Sequence, residues 1–210
     1  MGTLLSTRYS GEYLNFGTGE NNLYQIVSHE NGSGTKITLA SPLKENNSYK
    51  TINFDLNDSN IYTQSTTIGS FLNDEFLNSK RYFTDEQVEM ILKNSTWYLG
   101  KVGDGLNYKK AKYSDYNNKI LTEDITKCTV GLLRFGELLS AQMDIKNNNI
   151  DYVILSSNFI HYTDTVSMGR YGKATSKYGI KPALNLKSNV VITGGDGTKM
   201  NPFSVGIGES

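Results

Sequence analysis

The closing thirty or so residues constrain the fold most. In residues 178–187, Ile180, Pro182, Leu184 and Leu186 alternate with Lys181, Ala183, Asn185 and Lys187. A period of two marks a half-buried strand, one set of side chains facing a core and the other facing water. Val190-Val191-Ile192 follows, a β-branched run stopped by Gly194-Gly195-Asp196-Gly197. Asn201-Pro202 then leads into a last short strand, Phe203 to Val205. The segment reads as the closing strands of a domain, and it carries no reacting group.

Upstream, Leu23 to Val27 and Ile37 to Leu39 flank His29-Glu30-Asn31-Gly32-Ser33-Gly34, which predicts a hairpin with a glycine-rich tip. Residues 49–56 alternate polar and apolar, as in a sheet with one solvated side. Ser70 can cap a short helix carrying Phe71, Leu72, Phe76 and Leu77. Thr84-Asp85-Glu86-Gln87 is a capping box, with Phe83 and Val88 as its hydrophobic staple, and the helix runs to Asn94. Residues 129–133 read as a strand, residues 135–143 as a helix and residues 152–155 as a short central strand. Residues 100–118 and 158–177 read as loop. Strands with inserted helices, rather than strict alternation, give an α+β class.

At 210 residues and 37% hydrophobic content, the chain can bury one substantial core. Residues 23–207 are expected to form that single domain. Residues 1–22 are expected to be an N-terminal extension following a removed anchor. Twenty-one basic residues balance twenty-one acidic ones without a charge run, which disfavours nucleic acid and a membrane surface as partners. Asn makes up about a tenth of the chain, and 14 Tyr with only 3 Pro give a polar, aromatic surface.

Four motifs occur in order: residues 69–79 (GSFLNDEFLNS), Trp97-Tyr98-Leu99-Gly100, Val130-Gly131-Leu132-Leu133, and the ending from Tyr178 to Pro202. Together they resemble a domain of unassigned function in exported proteins of low-GC Gram-positive bacteria, one that often follows a prepilin-type helix. The ending also resembles the formylglycine-generating-enzyme-like branch of the C-type lectin fold. That resemblance implies a twisted antiparallel sheet with two or three short helices and long loops. It departs from the family in Lys181, where an Arg is usual, and in residues 152–157, where a tryptophan-rich strand is usual.

The chemistry-bearing residues are sparse. Cys128 is alone and lies beside Val130, Leu132 and Leu133, so a buried inert thiol is expected and neither a disulfide nor paired-cysteine chemistry is available. His29 and His161 lack a neighbouring ligand at metal spacing, and no nucleophile elbow is present. Asp55-Leu56-Asn57-Asp58-Ser59-Asn60 is rich in oxygen but lacks the glycine and final Glu of a calcium loop. The Gly-Asp-Gly stretches at 103–105 and 195–197 fit tight turns. No metal or cofactor is expected.

The resemblance places the ligand-engaging loops at His161, Tyr162, Asp164, Arg170 and Tyr171, residue types that suit sugars or proteins. The alternative is that Phe159 and Tyr162 simply cover the core. The reading is a non-catalytic, extracellular, pilin-like module at the cell surface, for adhesion or assembly. Its partners would be surface or pilus proteins, or environmental glycans and proteins. A soluble carbohydrate-binding module and a degenerate enzyme of the formylglycine branch are the alternatives.

Overall fold

The computed structural model describes residues 2–30, 34–99, 125–134, 137–138, 150–155, 160–163 and 168–209. They build a mostly β architecture with few short helices, compatible with the α+β class. The central sheet has five strands, in the spatial order Val130–Leu132, Pro182–Leu186, Gly34–Leu39, Leu23–Glu30 and Tyr13–Asn15, all antiparallel. A second five-stranded sheet runs Met168–Gly172, Ile160–Thr163, Tyr152–Ile154, Lys177–Gly179 and Thr51–Asn53. Its one parallel pairing sets Tyr152 opposite Gly179.

Register explains the two faces of the central sheet. Val130, Leu184, Ile37 and Ile26 align across four strands, and all are essentially inaccessible. The same apolar core contains an aromatic cluster in which Phe76 lies 5.0 Å from both Tyr82 and Phe83, and Phe16 lies 5.7 Å from Tyr24 and from Phe83. The opposite face aligns Gly131, Ala183, Thr38 and Gln25, with Lys36 opposite Asn185 in the next rows. It too is buried, which corrects the expectation of a half-buried closing strand. Lys181 is 2% exposed and Asn185 is 4% exposed. Alternation reports a change of side-chain chemistry between faces, and here the polar face is covered as well.

The N-terminal residues also depart from expectation. Thr3 and Leu4 pair with Ile192 and Val191, and Tyr13–Asn15 forms the outermost strand of the central sheet. Leu5, Leu14 and Phe16 join the core. Residues 3–21 are therefore part of the domain rather than an extension: Leu14, on a strand too short to stand out in sequence, and Phe16, just after it, are both buried.

The capping box is present in full. Gln87 N–H donates to the Thr84 hydroxyl at 3.1 Å, and Thr84 N–H donates to Gln87 Oε1 at 2.9 Å. The helix it starts is short, Asp85–Met90, because Ile91 turns extended and bridges to Leu186. The preceding helix begins earlier than Ser70 suggested. Thr66 caps it, accepting from Gly69 N–H, and Thr67–Phe71 continues into a π-helical turn over Leu72–Phe76. A Cβ at Gly69 would lie 1.8 Å from the Thr63 carbonyl oxygen, so this close approach requires glycine.

Other boundaries moved as well. Residues 49–56 form only the strand Thr51–Asn53, while Tyr49 belongs to a small hairpin, Lys44–Glu45 with Ser48–Tyr49. Asn46 and Asn47 turn that hairpin at φ values of 52° and 63°. Residues 158–177 are not wholly loop, since Ile160–Thr163 and Met168–Gly172 pair as a hairpin. The hairpin joining Leu23–Glu30 to Gly34–Leu39 and the central position of Tyr152–Ile154 are as expected, with the tip at 31–33 outside the described residues. The expected excursion at 100–118 and most of the helix at 135–143 lie outside them too.

Candidate functional site

The residues proposed from sequence as ligand contacts fall on one hairpin. His161 stands opposite Tyr171 and Tyr162 opposite Arg170, with a register shift after Tyr162. Asp164 lies outside the described residues. The hairpin hangs from the Tyr152–Ile154 strand, where Val153 pairs with Tyr162 and Ile154 with His161. Residues 152–155 are buried, so a rigid strand holds this register. Among the described residues, Met168–Gly172 forms the outer strand of that sheet.

Groups that could do chemistry elsewhere are committed to structure. The two ring nitrogens of His29 contact the Thr35 hydroxyl and the Arg8 carbonyl, tying the N-terminal segment to the first hairpin. The Cys128 thiol donates to the Val130 carbonyl at 3.2 Å, and burial pushes its pKa up to about 12. Asp55 is 4% exposed, and its carboxylate accepts from Ser59 N–H, Thr67 N–H and the Thr67 hydroxyl. That arrangement makes Asp55 a loop staple. In the Gly194 turn, the Asp196 carboxylate accepts from Thr198 N–H at 3.0 Å and from the Thr198 hydroxyl at 2.7 Å. These bonds hold the Asp196 carboxyl below its ordinary pKa. Gly195 and Gly197 adopt φ of 79° and 83°, as a tight turn requires. Among the described residues, no three His, Cys, Asp or Glu side chains converge as a metal site would need.

A polar cleft of about 440 Å³ lies at the edge of the domain, between residues 18–21, residues 44–47, Arg81 and Tyr82. Its walls are cross-braced. Arg81 donates to Glu45 at 2.9 Å and Lys50 donates to the other Glu45 oxygen at 3.1 Å, which holds the Glu45 carboxyl below its ordinary pKa. The Asn21 carboxamide accepts from Lys44 N–H and donates to the Lys44 carbonyl. Glu20 receives Asn47 N–H. Such a cleft can hold a polar, uncharged molecule by hydrogen bonds, and it contains no activated nucleophile.

Sequence reasoning missed a third group, on the buried polar face of the central sheet. Lys36 is 6% exposed and donates to Glu137 at 2.9 Å, with its ammonium 5.2 Å from the Trp97 ring centroid. Glu137 also accepts from Arg134 N–H at 3.0 Å and from Arg134 Nε at 3.3 Å. Burial alone would raise the Glu137 pKa, but the two cations and the backbone donor outweigh it and hold the carboxyl below its ordinary value. Just before the Pro182–Leu186 strand that carries Asn185, the Lys181 ammonium lies 5.2 Å from the Tyr152 ring centroid. The available signal was a lysine inside the run Gly34-Thr35-Lys36-Ile37-Thr38-Leu39, whose burial no local pattern reveals.

The four sequence motifs meet in space. Asn73 hydrogen-bonds Val130, Trp97 lies on Gly131, and Val130 pairs with Leu184. No family model, no curated protein and no solved structure matches this chain.

Proposed function

We propose that this chain is a non-catalytic, C-type-lectin-like module displayed outside the cell, serving adhesion or assembly through the hairpin of Ile160–Thr163 and Met168–Gly172. The observation that carries this reading is the register that pairs His161 with Tyr171 and Tyr162 with Arg170 on adjoining strands. Tyr and Arg are the residue types that dominate binding hot spots, and a buried neighbouring strand fixes their backbone positions. The commitment of His29, Cys128 and Asp55 to structural contacts supports binding over turnover. The mainly antiparallel sheets and short helices support the lectin-like reading, and the order of the four motifs supports the surface reading.

The test is sedimentation of the purified chain with isolated cell envelope from the bacterium that produces it. Saturable binding that falls at least tenfold in the Tyr162→Ala/Arg170→Ala variant is expected. Binding that is absent, or identical in the variant, would contradict the proposal.

A second reading, a soluble carbohydrate-binding module, draws on the cleft between Glu20, Asn47 and Arg81. A glycan array, run with and without calcium, separates the two. Glycan binding lost on Arg81→Ala but retained in the hairpin variant favours the cleft.

A further inference from the structure

Lys36 and Asn185 are direct cross-strand partners on the central sheet. Directly opposed residues on antiparallel strands place their Cβ atoms about 4.5–5.5 Å apart on the same face, so their side chains share one space. Both residues are buried, at 6% and 4% exposure. Asn185 Oδ1 has no hydrogen-bond partner among the described residues. A buried carboxamide oxygen left in this way is costly and calls for an explanation. Beside the pair stands the Glu137 carboxylate, 2.9 Å from the Lys36 amine, and the Trp97 ring covers that amine. An ammonium, a carboxamide and an ionised carboxylate therefore share one buried face, screened from water.

The geometry points to a covalent isopeptide bond between Lys36 Nζ and Asn185 Cγ, formed by the chain on itself. Glu137 takes a proton from the Lys36 ammonium, and the freed lone pair attacks Asn185 Cγ. Glu137 returns the proton to the carboxamide, the Cγ–Nδ2 bond breaks, and ammonia leaves as ammonium with the remaining amine proton. One ammonium and one carboxamide become one secondary amide and one ammonium ion, with no change of oxidation state and no co-reactant. Fixed strand register supplies the proximity, and burial keeps water from competing with the amine. The link would join Gly34–Leu39, the central strand of the sheet, to its neighbour Pro182–Leu186.

Intact-mass spectrometry of the full chain tests this directly. The linked protein is lighter than its sequence by ~17 Da, the mass of one ammonia. Proteolysis should yield a branched peptide joining the segments that contain Lys36 and Asn185. Glu137→Gln, which keeps the shape of the side chain, should restore the full mass in a protein with unchanged circular dichroism. Lys36→Ala and Asn185→Ala should do the same, and Glu137→Gln remains informative if either fails to fold. A folded wild-type chain at its full sequence mass overturns the proposal. So does a loss of ammonia that maps to a succinimide at Asn31-Gly32 rather than to a branched peptide.

Discussion

Asn73 grips Val130 by both of its backbone polar groups: Oδ1 accepts the Val130 N–H at 2.9 Å, and Nδ2 donates to the Val130 carbonyl at 3.1 Å. Oδ1 also accepts Thr129 N–H at 3.0 Å, and Nδ2 also donates to Gly69 carbonyl at 2.9 Å. One carboxamide thus ties the π-helical turn to the edge of the central sheet. Asn73→Ala strands two amide donors at once and should cost ~2–4 kcal/mol. Asn73→Asp keeps the acceptor and should cost less. Urea denaturation of both variants checks the order.

Trp97 gives a built-in reporter for the next contact. It is the only tryptophan, it is 1% exposed, and its indole N–H donates to the Cys128 carbonyl at 3.0 Å. A Cβ at Gly131 would lie 2.4 Å from its ring. Gly131→Ala should therefore displace the indole, destabilise the fold by ~1–3 kcal/mol and shift tryptophan emission to longer wavelength. Gly19→Ala would meet no atom within 4 Å, although its φ of 60° adds backbone strain, and it should leave the emission unchanged.

Much of the local structure was legible because it is written within a few residues. The Thr84 to Gln87 box closes on itself, and the Gly194 to Thr198 turn is held by a bond between Asp196 and Thr198. What depended on distant covering was not legible. Nothing local marks Lys36 as buried, yet Glu137 and Trp97 lie over it, and Glu137 is 101 positions away in sequence. Lys181 and Asn185 were misread for the same reason. Ser70 and Thr66 offer equivalent caps, and the close approach of Gly69 to Thr63 decides between them. The hairpin of Ile160–Thr163 and Met168–Gly172 was read as loop because Tyr162 and Arg170 do not alternate with apolar residues.

Alkaline pH should weaken the fold. Burial raises the pKa of Cys128 to about 12, and it raises those of Tyr24, Tyr62 and Tyr152 as well. Above about pH 8.5 an unfolded thiol loses its proton, and above about pH 10 unfolded tyrosines follow, while the folded groups keep theirs. The unfolded state then binds fewer protons, so stability falls as pH rises, by up to ~1.4 kcal/mol per pH unit for each such group. Denaturation midpoints should be flat from pH 7 to 8 and drop clearly by pH 10.5. At pH 8 the Cys128 thiol should resist iodoacetamide until denaturant is added.

The hairpin makes a separate prediction about stability. Tyr162→Ala/Arg170→Ala alters the outer strands of the second sheet, while the central sheet keeps all of its pairings. Its denaturation midpoint should move by less than that of Asn73→Ala, so a loss of envelope binding in this variant reports on contact rather than on unfolding.

Accessibility on intact cells measures the proposed display outside the cell most directly. Cells producing the chain are treated with a membrane-impermeant amine reagent, and the chain is then recovered and its lysines mapped. Labelling at exposed Lys80 and Lys199 is expected before lysis, with Lys36 unlabelled. A chain that takes up label only after the cells are broken would contradict it.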